Sequence, residues 1–168
     1  MEPTEGNIHI GALDIRKDFN NIKKMIGYCP QTNSIFDYMS VEENIMYFAR
    51  IKGIPTERRN ELCNRAIKQL DLENHRKKLA GTLSGGNKRK LCVAMAIVGS
   101  PPIILLDEPS AGMDPEARRF MWRVVGQIAS DKTSAVILTT HSMEEAEALS
   151  TKMGIMVKGG IFKCFGTP

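Results

Sequence analysis

The sequence has no long apolar run, no close cysteine pair and few aromatic residues, and each shortage removes a class of protein. Its longest apolar stretch, residues 91–106, is interrupted by Gly99, Ser100, Pro101 and Pro102. It falls short of the roughly 20 apolar residues that a bilayer-crossing helix needs. The opening residues, Met1 to Gly6, carry neither a basic region nor an apolar run, so no secretory signal is read there and a cytosolic setting is expected. Cys29, Cys63, Cys92 and Cys164 form no CxxC pair, and His9, His75 and His141 keep no zinc-site spacing to them. Reduced, mostly buried thiols are expected. The net charge of +4 is spread thinly, with short basic clusters only at residues 75–78 and 88–90, and aromatics make up 6% of the chain. That gives no basic and aromatic footprint for nucleic acid. What remains, at 168 residues with 42% hydrophobic and 25% charged, is the make-up of one globular domain.

Hydrophobic spacing divides the chain into alternating elements. Short strands are predicted at residues 7–10 and 24–28, the second running into Cys29-Pro30-Gln31, where Pro30 ends regular pairing. Ser40-Val41-Glu42-Glu43 is a capping box that opens a helix carrying Val41, Ile45, Phe48 and Ala49, and Gly53-Ile54-Pro55 stops it. A second helix is predicted from Thr56 to about Leu70, with Leu62, Ala66, Ile67 and Leu70 as its buried stripe. A glycine-rich loop, residues 81–86, then feeds a helix over residues 87–98. Ile103-Ile104-Leu105-Leu106 is an apolar run of strand length, of the kind buried on both faces of a parallel sheet, and it ends in Asp107 and Glu108. A helix over residues 115–129, a strand over 135–139, a helix over 142–149 and a hairpin over 154–165 about Gly159-Gly160 complete an α/β pattern.

Ligands of open α/β sheets bind beyond the carboxyl ends of the strands. Three predicted strands end there in polar residues: Gln31, the Asp107-Glu108 pair and His141. An acid at the end of an apolar strand suits a magnesium nucleotide site, with Asp107 holding Mg2+ and Glu108 polarising an attacking water. Histidine can hydrogen-bond a terminal phosphate, and glutamine can reach metal or water. Taken singly, each has a plainer reading: an acid that caps a helix, a structural histidine, a glutamine of no consequence, and a Ser-Gly-Gly that is only a tight turn. The alternative for Ser84, Gly85 and Gly86 is anion binding, through backbone amides and the positive end of the following helix.

Order and spacing decide between these. Leu83-Ser84-Gly85-Gly86-Asn87, then Ile103 to Pro109, then Ser110-Ala111-Gly112-Met113-Asp114, and finally Thr140-His141, resemble the nucleotide-binding domain of ATP-binding cassette (ABC) transporters over essentially the whole chain. The resemblance implies a P-loop NTPase-like ABC ATPase fold, a mostly parallel sheet flanked by helices, with a small helical subdomain over about residues 36–95. It also implies ATP and Mg2+ as ligands. Glu108 becomes the general base and His141 the switch histidine. Asp107 closes the Walker B strand and, with Gln31 of the Q-loop, faces Mg2+. Ser84, Gly85 and Gly86 form the signature loop, and Asp114 lies in the D-loop. The implied partners are a second nucleotide-binding domain in a head-to-tail sandwich and the transmembrane domains of a transporter, with no nucleic acid, at the cytoplasmic face of a membrane. LSGGNKRKL, with Asn87 where glutamine is usual, and GMDPEARRFMW are similar to the second cassette of the A subfamily of lipid transporters. Chromosome-maintenance relatives insert a long coiled coil between the Q-loop and the signature, and translation-factor relatives pair cassettes with basic insertions. Neither feature is present.

No GxxxxGK followed by Ser or Thr, the phosphate-cradling loop, occurs in the 168 residues. The resemblance places that loop roughly two dozen residues before Glu2-Pro3-Thr4-Glu5-Gly6, so the chain is expected to start just after it. Losing three charge-assisted hydrogen bonds to phosphate weakens binding by about 4 kcal/mol, on the order of a thousandfold. A poor ATPase is therefore expected from the chain alone. The strands at Ile103 and Val136 are expected to lack a covering neighbour, leaving an exposed sheet edge and a marginal fold. Two roles follow: the motor part of a lipid transporter, or a non-hydrolytic cassette that lends its signature loop to a partner's ATP site.

Overall fold

The computed structural model describes residues 5–131, 133–157 and 161–168. A small antiparallel pair, β1 (His9–Ile10) and β2 (Leu13–Asp14), opens the chain, and helix α1 (Phe19–Met25) leads into β3 (Ile26–Cys29). Helices α2 (Val41–Ile51) and α3 (Thr56–Gln69) follow, then two short 3-10 turns, Glu73–His75 and Ala80–Thr82, and α4 (Gly85–Ile97). Next come β4 (Ile103–Asp107), α5 (Pro115–Ser130), β5 (Ala135–Thr139), α6 (Met143–Leu149) and the antiparallel pair β6 (Met153–Val157) and β7 (Ile161–Gly166). The predicted turn of that last hairpin at Gly159-Gly160 lies outside the described residues. No helix among the described residues is long and apolar enough to cross a membrane.

The central sheet is parallel, in the order β3-β4-β5, with Gly27 opposite Ile104 and Ile104 opposite Val136. Strand β4 therefore has a partner on each side, against the expectation that both Ile103 and Val136 lack one; among the described residues β3 and β5 are the two edges, each paired on one side. Strand β4 is not buried on both faces either. Ile104 and Leu106 are buried, while Ile103 and Leu105 are only half-buried. Helices α4 and α5 pack on the first of these faces, and among the described residues Tyr28 and Ile137 stand exposed on the other. The predicted strand over residues 24–28 also starts late, because Lys24 and Met25 finish α1, which buries Ile22. Gly85 and Gly86, predicted as loop, form the first turn of α4 behind the N-cap Ser84.

Local chemistry accounts for the helical segment. Ser40 N donates to Glu43 Oε2 at 2.8 Å, and Glu43 N donates to Ser40 Oγ at 3.2 Å, a reciprocal cap that starts α2. Asn44, fully buried, accepts from Phe36 N at 2.9 Å and donates to the carbonyls of Phe36, Met39 and Ser40. One side chain thus folds the segment after Gln31 back onto α2. At the far end Lys52 Nζ reaches the carbonyls of Met95, Ala96 and Val98, at 3.3, 2.6 and 3.2 Å, capping α4 and tying α2 to it. Burial pushes the Lys52 ammonium down to about 8. Cys29, Cys63 and Cys92 are buried and Cys164 is exposed; burial raises the Cys29 thiol to about 12 and that of Cys63 to about 11.

Candidate functional site

The parallel register brings the carboxyl ends of β3, β4 and β5 side by side. Gln31 sits exposed two residues past β3, Asp107 ends β4, and His141 lies two residues past β5. Asp107 pairs in register with Thr139, whose hydroxyl donates to Asp107 Oδ1. The same hydroxyl accepts from Glu108 N at 3.3 Å, and Glu108 N also donates to Thr139 O at 3.1 Å. Glu108 adopts a left-handed backbone with φ of 49°, a conformation that costs a side-chain-bearing residue about 1–2 kcal/mol. The turn it starts continues with Ala111 N donating to Glu108 O at 3.1 Å.

Glu108 Oε2 lies 3.3 Å from His141 Nδ1, joining the two predicted catalytic residues. The carboxylate is mostly covered and the imidazole largely exposed, with side-chain exposures of 24% and 77%. A ring protonated on both nitrogens is an ionic partner for the carboxylate and can offer Nε2 as a donor to an anion, whereas a neutral ring has one donor and one acceptor nitrogen. Glu108, Ser110, Gly112, Arg118, His141 and Ser142 line a cleft of about 60 Å³. That is too small to enclose a nucleotide, for which about 300 Å³ is the lower bound, so a nucleotide would lie across the rim.

The other predicted residues stand apart from this cluster. Ser84 caps α4 by accepting from Asn87 N at 3.3 Å, and nothing lies within 4 Å of where a side chain on Gly85 or Gly86 would begin. The helix N-terminus is thus open to an approaching group. Asp114 caps α5, accepting from Ala117 N at 2.9 Å. It makes no described contact with Glu108 or His141.

Metal donors are few. Among the described residues no three His, Cys, Asp or Glu side chains gather around a common point. Asp107 offers one oxygen not engaged by Thr139, and Gln31 is exposed on the next loop. One carboxylate and an amide, all hard oxygen donors, suit Mg2+, which takes one or two carboxylates and completes its shell with water and substrate phosphate.

Sequence reading missed Arg89 and Thr139. Arg89 was placed within a basic cluster, yet it is 3% exposed and touches the backbone on both sides of the site. The signal was present in the spacing: Arg89 precedes the buried Cys92 and Val93 by three and four positions, on the inner stripe of α4.

The chain is similar to known proteins in sequence and in fold. The ABC transporter family profile matches residues 1–111. The phospholipid-transporting ATPase ABCA3 of Mus musculus is 44% identical over 98% of this chain, and the retinal-specific phospholipid-transporting ATPase ABCA4 of Homo sapiens is 45% identical over 98%. The aligned region is 10% and 7% of those two proteins, so the chain spans a small part of the relatives it matches. In fold, it superimposes on the dimeric ATP-binding cassette MJ0796 bound to ADP and Pi with a TM-score of 0.86, at 22% identity, over 99% of this chain and 75% of that one.

Proposed function

The chain belongs to the ABC transporter family and is most similar to its A subfamily, and from that premise we propose that it supplies the hydrolytic half of an ATP site in a phospholipid transporter. The observation that carries this reading is the contact between Glu108 and His141 at the carboxyl rim of the sheet, with Asp107 fixed beside it. Glu108 accepts a proton from the attacking water. His141 orients Glu108 and faces the terminal phosphate. Asp107, with Gln31, would hold Mg2+, which supplies charge neutralisation at the phosphates. Phospholipid as cargo follows the names of the relatives, and membrane helices outside these residues would recognise it.

Joining a phosphate-loop segment from a related cassette to the chain should yield magnesium-dependent ATP hydrolysis. Glu108→Gln should lower turnover by about a hundredfold or more. Hydrolysis that persists in that variant would remove Glu108 as the base.

A second reading is favoured by the N-terminus of α4, where Ser84 and Gly85 are exposed and, among the described residues, nothing lies within 4 Å of where a side chain on Gly85 or Gly86 would begin. In it, the chain lends this helix end to the ATP held by a second cassette, without hydrolysing anything itself. Mixing with an intact cassette should then raise that cassette's nucleotide affinity, and Ser84→Arg should abolish the rise. No association at micromolar concentration would dispose of it.

A further inference from the structure

Arg89 is the one buried cation of α4, and its surroundings are unusual for a charge. Among the described residues no carboxylate pairs with it. All five of its N–H groups go to backbone carbonyls: Nε to Pro109 O at 3.2 Å, Nη1 to Pro30 O and to Gln31 O at 3.1 Å, and Nη2 to Asp107 O and to Glu108 O at 2.9 Å. A guanidinium has five donors in a rigid plane, so this set is fully used. The five acceptors belong to two segments, the loop after β3 that carries Gln31 and the end of β4 with the turn after it, which carries Asp107, Glu108 and Pro109. Two of the carbonyls, those of Asp107 and Glu108, stand immediately before and after the left-handed Glu108 Cα.

We propose that Arg89 is the positioning residue of this site. Its guanidinium locks the Gln31 loop, the Glu108 turn and α4 into one body, so that the base, the glutamine and the Ser84 helix end keep fixed relative places. A lysine cannot substitute, because one ammonium with three donors at a single point cannot reach carbonyls spread over two loops. An alanine cannot either, since without the fork all five carbonyls lose the arginine's bonds and only Glu108 O keeps another donor named above, Ala111 N. The catalytic consequence rests on Glu108 acting as the base; the locking of the two loops does not.

The test uses Arg89→Lys, and Arg89→Ala with and without millimolar guanidinium. Amide hydrogen exchange of the chain reads the locking. Turnover of magnesium ATP by the chain joined to a phosphate loop reads the consequence. In Arg89→Lys, exchange should rise about tenfold in residues 31–34 and 107–112 together, while α3 and α5 keep their protection. Turnover should fall by about a hundredfold with KM within about threefold, as expected when a reacting group is misplaced by about 1 Å. Guanidinium should restore both slow exchange and turnover to Arg89→Ala. Exchange that rises evenly through the chain, loosening of one loop without the other, no change at all, or loss of folding in both variants would each overturn the proposal. Should Glu108→Gln retain turnover, the base assignment falls while the exchange result still decides Arg89. Should Glu108→Gln abolish turnover and Arg89→Lys behave as the parent, only Arg89 falls.

Discussion

The two faces of the three-stranded sheet live in different surroundings, and β4 alone shows both. On one face Ile104 and Leu106 are buried with Gly27 and Cys29 against α4 and α5. On the other, Ile103 and Leu105 are half-covered, while Tyr28 and Ile137 on the flanking strands are 56% and 60% exposed. Among the described residues, then, one layer of helices carries the packing of the sheet. The same layer reaches the chemistry, because α4 supplies Arg89, which grips both rim loops from the covered side. The open face contributes Asp107 and Thr139, whose side chains face outward and meet each other across the β4–β5 register.

Substitutions on the two faces should therefore differ sharply. Gly27 is the most sensitive position on the covered side: a Cβ there would stand 2.1 Å from Ala96 O and 2.8 Å from Pro101 Cγ. Neither neighbour is the free end of a flexible side chain. Gly27→Ala is expected to cost about 3 kcal/mol or more, in the upper range for overpacking, read as a lowered denaturant midpoint. A midpoint equal to that of the parent would mean that β3 and α4 do not approach as described. On the open side Ile137→Ser should change stability by no more than about 0.5 kcal/mol and should reduce self-association of the chain, measured by sedimentation, because it removes an exposed apolar side chain from β5, an edge strand. A loss comparable to that of Gly27→Ala would show that the outer face is packed in solution and would erase the difference between the faces.

Much of this architecture is readable from local patterns. The capping box at Ser40 and Glu43 names its own hydrogen bonds, and of the apolar stripe predicted for α3 Ala66, Ile67 and Leu70 are buried, while Leu62 is only half-buried and Cys63, outside that stripe, is fully buried. The apolar run before Asp107 marks the central strand, and the polar residues after the strands mark the rim. Features that depend on register or on distant partners are not readable in this way. Thr139 looks like the last residue of an ordinary strand until the parallel pairing sets it against Asp107. Helix α1 is only seven residues long and buries only Ile22, so its periodicity is too short to separate from that of the strand it precedes. Gly85 and Gly86 suggest a loop because glycine is a poor helix former, yet in the first turn, behind the Ser84 cap, the helix needs little from them. Arg89 carries a charge, and charge argues for solvent; only the five carbonyls gathered by two separate loops explain its burial.

The rim has acid, histidine and glutamine, but the 168 residues contain no phosphate-cradling glycine and lysine loop. Equilibrium binding of magnesium ATP to the chain, against the same chain joined to a phosphate loop from a related cassette, tests directly whether the rim is a nucleotide site that waits on that loop. Binding that is roughly a thousandfold tighter in the joined form is the expected result. Equal affinity in the two forms would contradict it, and would mean that the chain holds nucleotide by contacts other than those at the ends of β3, β4 and β5.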